Sequence, residues 1–307
     1  MPHAIRIHEH GGPEVLRWEE VTVGDPGPGE ARVRNTAVGL NFIDTYQRSG
    51  LYPMAMPLTL GSEGAGVVEA VGPNVRGLKV GDRVAYAGPI GAYTEVLLRP
   101  ADKLVKIPDG VSDQTAAAMM LKGMTAWYLL RRTYRVKKGD TILAHAAAGG
   151  VGQILCQWGK HLGATVIGTV GSEAKVSAAK EAGCDHVVVA ERETVSKRVR
   201  EITGGKGVPV VYDGIGKETF MDSLDCLAPL GMMASYGNAS GAVPPVNIGI
   251  LAQKGSLFLT RPTLGTYTAT RPDLNAAARD LFAVVKTGAV KIAINQTGNL
   301  QKKIGSL

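Results

Sequence analysis

TILAHAAAGGVG, residues 141–152, decides the fold. Residues 141–145 are an apolar, β-capable run after the turn signal Lys138-Gly139-Asp140, and the run breaks into small residues before Gly149-Gly150-Val151-Gly152. Helical spacing begins at once in 153–162. A strand, a glycine turn and a helix start make a place for a phosphate. Free N–H groups and the positive end of the helix dipole face the anion, and missing side chains let the backbone approach it. The G-x-G-x-x-G spacing is met by Ala147, Gly149 and Gly152, with alanine in the first place. Alone, the pattern also suits ordinary strand–helix packing, so the flanking chain must carry the reading.

Downstream, strands are expected at 165–170, 186–190, 208–213, 231–236 and 257–260, with helices at 153–162, 173–182, 194–202 and 218–227. With 141–145 this alternation predicts a doubly wound parallel sheet. Upstream, residues 1 to about 112 read as short strands (4–8, 16–23, 31–40, 66–71, 83–87, 93–98, 104–107) cut by turns such as Asp25-Pro26-Gly27-Pro28-Gly29. They predict a compact, barrel-like all-β unit in which 41–50 is a polar loop or short helix. Ser112 is a helix N-cap before an Ala/Met/Leu-rich stretch, and 119–130 is helical, the crossing between domains. After 265 one helix, 273–286, precedes a polar end in which 298–307 resembles a frayed tail.

The 307 residues suffice for two cores, and 45% hydrophobic with 20% charged residues is a globular balance. No apolar run of about 20 residues occurs and MPHAIRIHEH lacks a signal-peptide core, so a soluble, cytoplasmic protein without membrane attachment is expected. Cys156, Cys184 and Cys226 stand apart in sequence, without a C-x-x-C pair, as in a reducing compartment. The net charge of +7 is dispersed, with no basic arm, which favours a solvated surface over nucleic-acid binding.

The tip of the second strand selects the cofactor. A carboxylate about 20 residues past the glycine turn would bond a free ribose 2′-hydroxyl. Here the strand ends Val170-Gly171-Ser172, with Lys175 following. Small residues, a hydroxyl and a cation accept a 2′-phosphate, which points to NADPH. Glu173 counts the other way, and Lys175 also reads as a solvated helix residue.

The phrases NFIDTYQRSGLYP (41–53), GSEGAGVVEAVG (61–72), LKGMTAWYLL (121–130), HAAAGGVGQILCQW (145–158), YDGIG (212–216), SYGNASGAV (235–243) and QKGSLFLTRPTL (253–264) resemble the zinc-independent quinone oxidoreductases of the medium-chain dehydrogenase/reductase superfamily, the ζ-crystallin-like branch. The resemblance implies an α/β protein: a GroES-like β-barrel catalytic domain (1–122), a Rossmann doubly wound parallel sheet binding NADP (123–264), a return to the catalytic domain (265–307), and a cleft between the two.

Zinc-dependent relatives carry a cysteine near 41–44 and a histidine in a G-H-E phrase. This chain has no cysteine before Cys156 and reads Gly61-Ser62-Glu63, and the four-cysteine structural cluster is absent too. Catalytic zinc needs three Cys, His or carboxylate ligands, so no metal is expected. The acceptor must then be intrinsically electrophilic, a quinone or enone, with the protein orienting it, excluding water and bonding the developing oxyanion. The resemblance places Asn41, Asp44 and Tyr46 near the nicotinamide and Tyr52 near the mouth of the cleft, with both tyrosines able to donate to a substrate oxygen. Each tyrosine equally reads as a packed ring with a satisfied hydroxyl. It also implies cofactor contacts from Tyr128, Gly149, Gly150, Val151, Gly152, Thr169, Gly171, Ser172 and Lys175 at the adenosine end. Around the nicotinamide half it implies Gly214, Gly216, Asn238, Ser240 and Gly241, with Thr260, Arg261 and Pro262 nearby. Arg261 reads as readily as a surface ion pair.

Relatives place a tyrosine after the third strand, where this chain has Ala190, and close the catalytic domain with elements that the sequence after about Asn295 does not follow. Both departures predict weaker NADPH binding and exposed apolar surface. The last Rossmann strand would be a sheet edge, and pairing two edges across a two-fold axis predicts a homodimer. Rival functions are a zinc-free enone or enoyl-thioester reductase and an NADPH- or RNA-binding crystallin-like protein.

Overall fold

The computed structural model describes residues 1–301. The frayed end expected over 298–307 falls largely on 302–307, outside the described residues. Two compact units form. One comprises Met1–Leu121, Thr268–Phe282 and the described residues from Ile292 on; the other comprises Lys122–Tyr267 and Ala283–Lys291.

In the first unit the chain runs β1 (His3–Ile7), β2 (Arg17–Glu20), β3 (Glu30–Gly39), α1 (Phe42–Ser49), β4 (Leu58–Thr59), β5 (Glu63–Val71), β6 (Arg83–Ala87), β7 (Val96–Pro100) and β8 (Val105–Lys106). The barrel-like unit takes the form of two antiparallel sheets, ordered β2-β1-β4 and β7-β3-β5-β6-β8, tied by a bridge between Ala4 and Thr94. Val33, Val68, Val84, Tyr86 and Leu104 fill the larger sheet's core. Inward residues alternate with solvated ones along β3, as a half-buried strand requires. The polar stretch at 41–50 is helical: Asn41 and Asp44 make a reciprocal capping box, and Gly50 ends α1 in the left-handed region at φ 84°.

The crossing helix α2 (Asp113–Tyr128) begins where Ser112 Oγ accepts the Thr115 amide at 3.1 Å. It runs into a wider turn at Leu129–Thr133. The second unit continues as β9 (Thr141–Ala144), α3 (Gly150–His161), β10 (Thr165–Val170), α4 (Val176–Glu181), β11 (His186–Val189), α5 (Val195–Ile202), β12 (Val208–Asp213), α6 (Phe220–Cys226), β13 (Leu227–Ser235), α7 (Gly249–Gln253), β14 (Phe258–Thr260) and α8 (Leu264–Tyr267). Its six strands are parallel and ordered β11-β10-β9-β12-β13-β14, the doubly wound arrangement whose strand order reverses beside β9. Leu143, Ile167, Val188, Val211, Phe220 and Met233 make its core. The last helix, α9 (Arg271–Lys286), carries the chain from the first unit's return segment into the second. Among the described residues no helix is long and apolar enough to cross a membrane.

Cys156 and Cys184 stand apart in sequence, yet they meet as thiols in the fold, and their hydrogen bond together with burial pushes the Cys156 thiol up. Both are free, as is Cys226.

The alanine in the first place of the phosphate fingerprint is explained by its neighbour. A Cβ at Gly168 would lie 2.7 Å from Ala147 Cβ and 2.4 Å from Cys184 Sγ, so a glycine on β10 makes the room that the turn's own glycine would otherwise supply. Gly168→Ala should therefore destabilise the protein by roughly 1–3 kcal/mol, the usual penalty of overpacking, read as a lower urea midpoint at unchanged m-value.

Candidate functional site

At the carboxyl edge of the parallel sheet, β9 runs into a turn whose Ala146 sits at φ 51°, a conformation few non-glycine residues adopt. The Ala146 carbonyl accepts the Gly149 amide at 2.8 Å, and a Cβ at Gly152 would lie 2.1 Å from that same oxygen. Position 152 must be glycine for the helix to come this close. The Gln153 amide donates back to the Gly149 carbonyl at 2.9 Å, whereas the Gly150, Val151 and Gly152 amides find no partner among the described residues. Three donors thus converge at the positive end of a 12-residue helix, a cradle for a phosphate. The Lys122 stem crosses this opening: a Cβ at Gly150 would lie 2.6 Å from Lys122 Cδ. Lys122 escapes sequence reading because its helix and the glycine turn are far apart in the chain.

The tip of β10 lies on the same edge. No atom lies within 4 Å of where a Gly171 Cβ would sit, so open space borders the backbone there. The Ser172 carbonyl accepts the Lys175 amide, setting Lys175 in the first turn of the following helix. Glu173, the carboxylate that counted against a 2′-phosphate, is paired at 2.8 Å with Arg192, a cation the sequence reading passed over. These groups fit NADPH better than NADH.

Two further loops complete the edge, and they interlace. Asp213, fully buried at the end of β12, accepts the Ile215 and Gly216 amides at 2.8 and 3.0 Å. Ser240 Oγ donates to the Ile215 carbonyl at 2.9 Å, and the Gly241 carbonyl accepts the Lys217 amide at 3.2 Å. A Cβ at Gly216 would come within 3.2 Å of Asn238 Cα. Gly214, Gly216, Asn238, Ser240 and Gly241 are therefore brought together. Thr260 ends β14, and Arg261 donates to the Ser235 carbonyl at 2.7 Å, so its cation is held at the tip of β13. Tyr128 is buried in α2 with its ring stacked on Tyr267 at 4.6 Å between centroids. Thr169 is buried too, its hydroxyl engaged with His145 Nδ1 at 3.0 Å and the Ala146 amide at 3.3 Å.

The first unit carries its own polar cluster around α1. Asp44 is 3% exposed, and its carboxyl accepts Ser62 Oγ at 2.7 Å, Tyr93 Oη at 2.6 Å and the Asn41 amide at 2.9 Å. Glu63, fully buried, accepts Asn41 Nδ2 at 2.9 Å and the Leu121 amide at 2.7 Å. Asn41 is thereby fixed from both ends of its residue. Tyr46 is buried, and its ring stands edge-on to Phe42 at 5.4 Å and to Tyr52, beyond the helix end, at 5.2 Å, an aromatic ladder. Phe42, 61% exposed, presents the ladder to solvent. The sequence marked Ser62 only as a lost zinc ligand and passed over Tyr93, because their bonds to Asp44 span 18 and 49 residues.

This donor set does not suit zinc. It offers Asp44, Ser62 and Glu63 with neither cysteine nor histidine, and the carboxylates are already saturated by protein donors. Among the described residues no group of three His, Cys, Asp or Glu could hold a metal ion.

Two family models match the chain: "Alcohol dehydrogenase GroES-like domain" over residues 27–109 and "Zinc-binding dehydrogenase" over 150–283. The chain is 55% identical to a quinone oxidoreductase of Pseudomonas aeruginosa over 298 residues, 96% of this chain and 92% of that one. It is 49% identical to the 2-haloacrylate reductase of a Burkholderia species, over 98% of this chain and 93% of the other. Among solved structures, the Escherichia coli quinone oxidoreductase complexed with NADPH superposes with a TM-score of 0.93 at 51% identity, covering 95% of this chain and 90% of that one. Sheet order, glycine turn and matches define the medium-chain dehydrogenase/reductase class. Within that class the chain belongs to the quinone oxidoreductase family.

Burial pushes the Asp44 carboxyl up from 3.8 to about 6, against the lowering pull of Tyr93, Ser62 and the Asn41 amide. Its folded value exceeds its unfolded one, so its contribution to stability is full below pH 3.8 and is lost as pH rises through about 6. The stability difference between wild type and Asp44→Asn, measured by urea unfolding, should shift against wild type by about 3 kcal/mol from pH 3.5 to pH 7.5. The Asp44 carboxyl ¹³C resonance should titrate with its midpoint near 6.

Proposed function

We propose that this chain is an NADPH-dependent quinone reductase that works without a metal. The observation that carries the reading is the trio of unpartnered amides opening α3, in a chain similar over nearly its whole length to a quinone oxidoreductase complexed with NADPH. Bound NADPH supplies the hydride, and a quinone accepts it because charge delocalises into its ring. The Gly150, Val151 and Gly152 amides hold the diphosphate, and Ser172, Lys175 and Arg192 hold the 2′-phosphate. Gly214, Gly216, Asn238, Ser240 and Gly241 shape the nicotinamide side. Asn41, Asp44, Tyr46 and Tyr52 are our substrate-side residues. In this reading Asp44 acts by fixing α1 and Asn41, since its oxygens are engaged by protein donors. The tyrosine hydroxyls then serve the substrate oxygen. Domain limits of 1–122, 123–264 and 265–307 follow this division of labour.

The Burkholderia relative's name supports a second reading, reduction of an activated alkene. NADPH oxidation across quinones, enones and enoyl thioesters separates the two; turnover of enones with none of any quinone would overturn the first. Against NADH as control, Lys175→Glu and Arg192→Glu should each lower kcat/KM for NADPH by about ten- to a hundredfold, the worth of a charged hydrogen bond of roughly 1.5–3 kcal/mol, and leave NADH largely unaffected.

We also propose a cytoplasmic homodimer. The support is β14, a sheet edge whose Phe258 and Leu259 are 57% and 41% exposed, since pairing two such edges would satisfy the backbone and cover both side chains. Light scattering should give twice the chain mass, and Leu259→Lys should halve it.

A further inference from the structure

We infer that His145 is a positioning residue: a one-way chain of hydrogen bonds through its ring ties the phosphate-binding turn after β9 to the loop after β12. The inference rests on the dinucleotide reading above, for these are the two loops that would meet the two ends of the cofactor.

The direction follows from counting protons. Asp213, as a carboxylate, only accepts. Its Oδ1 takes the Ile215 and Gly216 amides, and its Oδ2 takes Thr219 Oγ1 at 2.7 Å and Ser223 Oγ at 2.8 Å. Ser223 has then spent its single proton, so at 2.9 Å from His145 Nε2 it must accept. Nε2 therefore carries the ring proton, and Nδ1 is the bare nitrogen. That nitrogen accepts from Thr169 Oγ1 at 3.0 Å, and the Thr169 oxygen in turn accepts the Ala146 amide at 3.3 Å.

The four side chains His145, Thr169, Asp213 and Ser223 all have partners, and none of the four is more than 4% exposed. A satisfied, buried network is rigid, because breaking one bond strands a buried polar atom. The chain begins at Ala146, the residue held in the left-handed conformation, and ends at the amides of Ile215 and Gly216. Three strand tips, β9, β10 and β12, are pinned to one another beneath the cofactor edge. The charged groups facing the ring are Asp213 on β12 and Asp222 on α6. Both favour protonation, but burial outweighs them and holds the imidazole below its usual value. A neutral ring is the one this chain requires, since a second ring proton would point at the Thr169 hydroxyl.

Two measurements test the inference. Imidazole ¹⁵N NMR of the wild-type protein at pH 7 should find His145 neutral with its proton on Nε2; a cationic ring or an Nδ1–H tautomer overturns the chain. Equilibrium titrations should then compare NADPH with adenosine 2′,5′-bisphosphate, which occupies only the adenosine side. Ser223→Ala removes the middle link, and His145→Gln keeps a donor toward Ser223 while losing the acceptor for Thr169. Both variants should bind NADPH at least about tenfold more weakly, within the range of coupling between directly bonded residues, and bind the bisphosphate within about twofold of wild type. Equal weakening of both ligands, as a generally loosened fold would give, or no weakening of either, overturns the inference. If wild type binds no NADPH, the dinucleotide reading falls and this inference with it. If wild type binds normally and the variants match it, the inference alone falls.

Discussion

A helix must begin somewhere, and its first amides have no carbonyl one turn back to bond. In most helices a side chain or water takes them; in α3 the chain withholds any side-chain cap and surrounds the opening with glycine. That unmet demand for an acceptor organises the second unit. Because the sheet is parallel, the tips of β9, β10, β12, β13 and β14 all arrive at the same edge as these amides. Loops of little sequence similarity therefore gather at one edge. The left-handed Ala146 and the close approach of Gly152 to its carbonyl follow from pressing a helix start against a strand end.

The first unit solves the opposite problem, that of having too many acceptors underground. Asp44 and Glu63 bring four carboxylate oxygens into the protein interior, and each is met by donors from α1, from the loop after β4, from Tyr93 and from the amide of Leu121. A residue that zinc-dependent members of the superfamily would give as a ligand is here a serine that bonds Asp44. The polar cluster is thereby converted from a coordination sphere into a scaffold. Its product is a short helix whose Phe42 and Tyr46, with Tyr52 just beyond the helix end, form a run of edge-on aromatic rings.

Much of this was legible in the chain itself, and the parts that were not share a cause. Strands 165–170 and 208–213 coincide with β10 and β12 because each is rich in β-branched residues and bounded by turn residues. The helix after the glycine turn starts at Gly150, three residues before the periodic pattern begins, since glycines carry no hydrophobic signal. β13 starts at Leu227 and not at 231, since Pro229 and Gly231 suggest a turn where the strand in fact bends, with Leu230 at φ 62°. β4 has only two residues and α8 only four, too few to show a period. The site splits the same way. Glycines and strand tips were visible because their spacing is local. Ser62, Tyr93, Lys122, Arg192, His145 and Ser223 were not, because each gains its meaning from a partner distant in the chain. The pairing of Cys156 with Cys184 is the same lesson in reverse: spacing alone said they were strangers.

Those cysteines bear on survival in the presence of quinones. Quinones are soft electrophiles that alkylate thiols, and the species they attack is the thiolate. All three cysteines of this chain are buried, and burial pushes the Cys156 and Cys226 thiols upward, away from ionisation. With all three sulfurs buried, the packing around its parallel sheet leaves such compounds no exposed thiol to attack.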